Sequence, residues 1–311
     1  MYNFRTDLAL ERREILGKIN KEQEKLSGIE VEERRINDRI SITKVLITNE
    51  EGERLIGKPK GTNITIDIKK LKVATEDEIE EAANILSGEL KSIINLHVDS
   101  MADVLVVGLG NEYVTPDSLG PKAVANIEVT RHVIKYMPEY VEEGTRPISA
   151  IAPGVLGTTG IETLEVLEGI VNNIKPKLVI VIDALASRSI ERISSSIQLS
   201  DTGIIPGAGV GNTRKELSHN TLGIPVIAIG IPTVVESAVL VNEALDLFIS
   251  KLQNEARSND YLNDLKEKDN YEDIKEALNP GEYNMIVTPK EIDELIDNMK
   301  NIVSRGINYA L

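Results

Sequence analysis

Residues 178–189 read LVIVIDALASRS, and the first five of them decide the architecture. Leu178–Ile182 is continuously apolar, rich in β-branched residues and too short for an ordinary helix. A strand covered on both faces has this pattern, whereas a half-exposed strand alternates apolar with polar residues. Val104–Val107, Ile148–Ala152 and Pro225–Ile229 have the same character. Helical stretches near 161–174 and 234–251 lie between or after these runs. The alternation implies an α/β fold with a mostly parallel sheet flanked by helices.

Outward from this core, the segments ISITKVLIT (40–48) and ITIDI (64–68) predict an N-terminal extension that contains strands. Residues 10–39 are charged and helix-prone, which suggests a solvated helix or arm. Thr75 with Glu78 forms a capping-box pattern, followed by Ile79, Ala83, Leu86, Leu90 and Ile94 at helical spacing. Thr159/Glu162 and Thr233/Glu236 repeat that pattern, and Thr288-Pro289 with Glu291 would place proline at the first position of a last helix. Glu191–Leu199 suggests a strand. Residues 251–285 are charged and apolar-poor, and predict an exposed helical insertion near the C-terminus. No internal repeat is visible.

Composition narrows the chemistry. The 311 residues include no Cys and no Trp, 3 His, 35 Lys plus Arg and 50 Asp plus Glu, for a net charge of −15. Without cysteine there is no thiol nucleophile, disulfide or Cys-ligated zinc. His97, His132 and His219 stand in no metal motif, so neither a metal nor another cofactor is expected. The acidic balance argues against sequence-independent nucleic-acid binding. No apolar run approaches the roughly 20 residues of a membrane span, and no signal-peptide pattern opens the chain. A cytoplasmic protein is expected, and carboxylate is its abundant reactive group.

Ligands of open α/β sheets sit beyond the carboxyl ends of the strands. Two loops there carry an aspartate. The first runs from Gly108-Leu109-Gly110-Asn111 to Asp117, and the second begins at Asp183, after Leu178–Ile182. Each aspartate alone could be a helix-start or turn carboxylate, and Asp183 could pair with Arg188. Together they could meet in one crevice. Neighbouring carboxylates split their titrations, leaving one as base towards water and the other as acid towards a leaving group. A third loop, PGAGVGNTRK (206–215), alternates glycine and then turns basic at Arg214 and Lys215. It suits either a cradle for an acidic ligand or a plain surface loop.

The motifs RTDLALE (5–11), VVGLGN (106–111), TPDSLGP (115–121), APGVLGTTGIET (152–163), VIDALASRS (181–189), PGAGVGNTRKEL (206–217) and GIPVIAIGIPTVVES (223–237) together resemble the spore germination protease family. That family is similar in its core to hydrogenase maturation endopeptidases. The resemblance implies an atypical aspartic endopeptidase that starts the breakdown of small acid-soluble spore proteins during germination. It places the catalytic pair on Asp117 and Asp183, beside the shared Gly110-Asn111 pattern. A cleavage sequence rich in Glu and Asp calls for cations nearby, and Arg188, Arg214 and Lys215 are the candidates for binding it. The resemblance also implies a homotetramer in the spore core, made as a zymogen. Asp7-Leu8-Ala9-Leu10-Glu11 has the shape of a family cleavage site, so autocleavage is expected between Asp7 and Leu8. Residues 1–7 would then be a propeptide and 8–311 one catalytic domain. Two alternatives stand beside this reading: a metal-dependent endopeptidase of the hydrogenase-maturation type, and a non-catalytic peptide-binding module.

Overall fold

The structure is a computed structural model that describes residues 27–187, 189–207, 214–255, 274, 277–278 and 285–311. Asp7, Leu8, Arg188, the glycines at 209 and 211, the expected arm before residue 27 and most of the 251–285 insertion lie outside the described residues.

Strand formation is clearest in β6 (Leu178–Ser187). Its alternate side chains go to two separate cores. Leu178, Ile180 and Ile182 enter one, while Val179 and Val181 enter the other. All five are inaccessible to solvent. At about 1.5–3 kcal/mol for each large aliphatic side chain buried, a run with no polar position is held firmly in the middle layer.

The first core is the larger. There α2 (Glu76–His97) and α9 (Ile292–Ala310) pack on the sheet and on each other. Gly306 makes that approach possible, because a Cβ there would stand 2.8 Å from Leu86 Cδ2. The second core lies under α6 (Thr163–Ile174), whose Leu164, Leu167 and Val171 face Leu105, Val107, Val179 and Val181.

Among the described residues, nine strands form one sheet. In chain order they are β1 (Ile29–Arg35), β2 (Ile40–Ile47), β3 (Gly61–Ile68), β4 (Val104–Gly108), β5 (Ile148–Ile151), β6, β7 (Ser196–Ser200), β8 (Val226–Glu236) and β9 (Ile286–Val287). Their spatial order is β1-β2-β3-β7-β8-β6-β4-β5, with β9 added to β8. The pairs β5–β4, β4–β6 and β6–β8 are parallel, and these four strands are the apolar runs read from the sequence. The N-terminal extension is a meander, β1–β3, that joins the same sheet antiparallel through β7.

After β4 the chain moves to one side of that strand to form β5, then returns to its other side to form β6. The crevice between the ends of β4 and β6 is therefore a topological switch point.

Several local expectations give way to tertiary structure. Residues 29–35 are strand β1, not helix, because pairing with β2 outweighs their helix-prone charges. Thr75 and Glu78 do form the capping box of α2. Thr159 instead closes the short helix α5 (Leu156–Thr159), and Glu162 precedes α6 without a side-chain cap. Thr233 and Glu236 lie within β8, where ladder pairing prevails over a local cap. Pro289 forms a turn to Ile292, so α9 starts three residues later than the proline suggests. The strand expected from Glu191 begins only at Ser196, because Ile190–Arg192 is a single 3-10 turn and Ser194 sits at φ +47°.

Candidate active site

Asp183 does not end its strand. β6 continues to Ser187, but its pairing with β4 stops where Gly108 faces Ile182. Asp183 is thus the first residue of β6 without β4 beside it, while β8 still flanks it through Gly230. Only 4% of Asp183 is exposed, and its Oδ1 accepts from the backbone N–H of Ala184 at 3.0 Å.

The loop after β4 brings Asp117 to the same place. Gly110 has φ +113°, a conformation that side chains rarely adopt, and a Cβ there would overlap the Asp117 carbonyl oxygen. The reversal turns the Asn111 N–H onto Asp117 Oδ2 at 2.8 Å. Asp117 itself closes a 3-10 turn, Thr115–Asp117, whose second residue is Pro116. Three residues on, Gly120 is the second residue of α3 (Leu119–Val124) and packs on backbone from both strand ends. A Cβ at Gly120 would lie 2.6 Å from Leu109 N and 2.8 Å from Ile182 O. The two aspartate-bearing segments are therefore locked together through bare backbone, and the Leu109 N–H donates to Ile182 O at 2.8 Å.

A cavity of about 360 Å³ opens above this junction. Asp117, Asp183, Gly110 and Arg214 line it, as do Thr163, Thr233 and Thr288. Burial pushes the Asp117 carboxyl above its ordinary pKa, against the opposing pull of the Asn111 N–H and the positive Arg214. Arg214 is part-buried, and its Nη1 has no hydrogen-bond partner among the described residues. Lys215, in contrast, is exposed, stands 3.9 Å from Glu165 Oε1 and does not line the cavity. Asn111 contributes through its backbone, while its side-chain Oδ1 accepts from the Tyr113 N–H at 3.0 Å.

Sequence reasoning missed the three threonines. Thr233 was masked by its resemblance to a helix cap, yet its carbonyl accepts from Thr288 Oγ1 at 2.9 Å across the cavity wall. The histidines stay apart from this cavity, and His97 stands 3.4 Å from Asp201 instead. Among the described residues, no group of three His, Cys, Asp or Glu side chains could hold a metal ion.

An α/β sheet with two carboxylates and a cation at its switch point defines a site suited to acid–base chemistry. Comparison with known proteins shows the family of the chain. The family model described as Germination protease matches residues 6–264 and 254–311. A germination protease of Clostridium acetobutylicum is 48% identical, with 100% of this chain and 96% of the relative covered. Those of Clostridium perfringens and Geobacillus sp. are 45% and 41% identical, covering 100% of this chain and 96% and 94% of their own. This chain belongs to the germination protease family, and is accordingly a peptidase of spore germination. Among solved structures, a [NiFe] hydrogenase maturation protease from Thermococcus kodakarensis KOD1 aligns over 47% of this chain and 80% of its own, at 15% identity and a TM-score of 0.28. So loose a likeness bears on neither the fold nor the site.

No helix among the described residues is long and apolar enough to cross a membrane.

Proposed function

We propose that the protein is an endopeptidase whose Asp117 and Asp183 act as a carboxylic acid/carboxylate pair on a water molecule. One observation carries this reading: both residues line the cavity at the switch point. Burial raises the Asp117 pKa, which suits it to carry the proton. Asp183 then takes a proton from water as the oxygen attacks the scissile carbonyl carbon. Asp117 gives its proton to the carbonyl oxygen as that oxygen gains charge. Collapse of the tetrahedral intermediate breaks the C–N bond, and the amine leaves with the proton held on Asp183. The hydroxyl proton returns to Asp117 as the carbonyl reforms. Atoms and protons balance without another reactant. Acid–base assistance of this kind contributes about 10²–10⁴-fold for each group.

Arg214 suits the binding of an acidic or oxyanionic part of the substrate, because a cation beside a carboxylate-binding position gives a charge-assisted contact. Small acid-soluble spore proteins are the substrates proposed here, and the family supports that choice. A zymogen that cuts itself between Asp7 and Leu8, and a homotetramer in the spore core, complete the reading. The decisive experiment incubates purified protein with a small acid-soluble spore protein and identifies the fragments by mass. Discrete internal cuts that vanish in Asp117→Asn and in Asp183→Asn are the expected result. Near-normal cutting by either variant would refute the paired-acid mechanism.

A further inference from the structure

The second face of the sheet is apolar over β4, β6 and the start of β8, where Val226 joins the second core. Beyond the small residues Ala228 and Gly230 of β8, it turns polar on β7 and β3. Ladder partners point to the same face, so Asp183, Gly230, Gln198 and Thr65 form one row, and Val181, Ala228, Ser200 and Asn63 the next. Gln198, Ser200, Thr65 and Asn63 are all at least 96% buried. A second cavity, of about 210 Å³, has Gln198, Ser200, Ala228 and Gly230 as its floor. Lys58, Ile205 and Glu216 stand among its walls.

Leu185 lines this cavity and also the aspartate cavity, so it is the wall they share. Gly230 makes room for that wall, since a Cβ there would overlap Leu185 Cδ1. Beside the floor, Asn63 sits directly opposite Ser200, and among the described residues neither of its side-chain amide atoms has a hydrogen-bond partner. A buried row of hydroxyls and carboxamides continuous with a hydrolytic site is poor packing material, but it suits a polar, uncharged ligand.

We propose that the second cavity is a specificity subsite that receives an uncharged, small to medium side chain of the extended peptide being cut. The proposal rests on the peptidase reading above. Adjacent strands are about 4.8 Å apart, so β7 lies about 10 Å from the Asp183 strand. An extended peptide rises about 3.3 Å per residue, which places the occupant about three residues from the scissile bond. A charged side chain on this neutral floor would lose its hydration without an opposing buried charge. Lys58 and Glu216 carry opposite signs, so they give the pocket no net attraction for either.

The test is digestion of a randomised peptide library by the full-length active protein, with every cut located by mass spectrometry. The wild type is expected to discriminate at least tenfold against Asp, Glu, Lys and Arg at one position about three residues from the cut. Ile205→Glu changes a wall residue that is 44% exposed, so the fold should tolerate it. It is expected to make that single position accept Lys and Arg at least tenfold better. Ser200→Leu fills the floor and should narrow the same position to Gly and Ala. A flat wild-type profile there, or variants that slow all cuts alike, would overturn the subsite while leaving the peptidase intact. If the wild type cuts neither the library nor a small acid-soluble spore protein, the peptidase reading falls, and the subsite with it.

Discussion

The backbone N–H of Asn111 donates to Asp117 Oδ2 at 2.8 Å, and Gly110 is what turns it there. Gly110→Ala would put a methyl group on the Asp117 carbonyl oxygen at a φ of +113°. The expected result is loss of about 1–3 kcal/mol of stability from backbone strain alone, together with loss of most activity. Chemical denaturation and peptide cleavage measure the two. Full activity in a stable Gly110→Ala protein would mean that the loop geometry is unimportant to the site.

Arg214 pulls the Asp117 pKa down while burial raises it. Removing the cation leaves burial less opposed, so Arg214→Gln should move Asp117 further upward. The pH dependence of kcat/KM should then lose or shift the limb that reports Asp117 to higher pH. KM for acidic peptides should rise more than kcat falls if Arg214 binds substrate uniformly. An unmoved limb would detach Arg214 from Asp117.

The same shift has a stability consequence. Asp117 in the folded chain keeps its proton to a higher pH than an ordinary carboxylate does. Folding therefore takes up a proton between the two pKa values, and ionising Asp117 costs native stability. The cost is absent below about pH 4, the unfolded carboxylate range, and complete above the raised value. Asp117→Asn should accordingly raise Tm at neutral pH, with a gain that shrinks as pH falls. A gain equally large at acid pH would point to some other cause.

How much of this could be read from the chain alone depended on how local the determinant was. The four parallel strands were legible because uninterrupted apolar runs have few other homes. The capping box at Thr75 was legible because both of its partners are within one turn. Thr233 misled for the opposite reason: its surroundings are set by β6 and Thr288, far away in sequence. Asp117 and Asp183 were recognisable as loop or strand-end acids, but their meeting depends on the sheet order. Gly120 carries that meeting, and in the sequence it is one glycine among 22. Lys215 looked equivalent to Arg214, yet adjacent residues of an extended loop point different ways.

Autoprocessing has a direct readout. Purified full-length protein, aged and followed by intact mass, should lose its first seven residues and show Leu8 as its new N-terminus. Asp183→Asn should keep the original mass. A stable start elsewhere would move the processing site. Dialysis against a strong chelator is expected to leave both processing and peptide cleavage unchanged, whereas loss of activity restored by a divalent metal would support the metal-dependent alternative.

The order of the strands also sets a timetable for synthesis. Thr62 bonds to Asp201 across 139 positions, so the meander waits for β7 before its open edge is covered. The Asp183 strand waits in turn for β8, which begins at Val226 of 311 residues. A nascent chain can therefore hold both aspartates on the ribosome well before it holds a closed crevice. The crevice is unfinished until β8 has emerged, and a chain stalled before it carries both aspartates with no closed site.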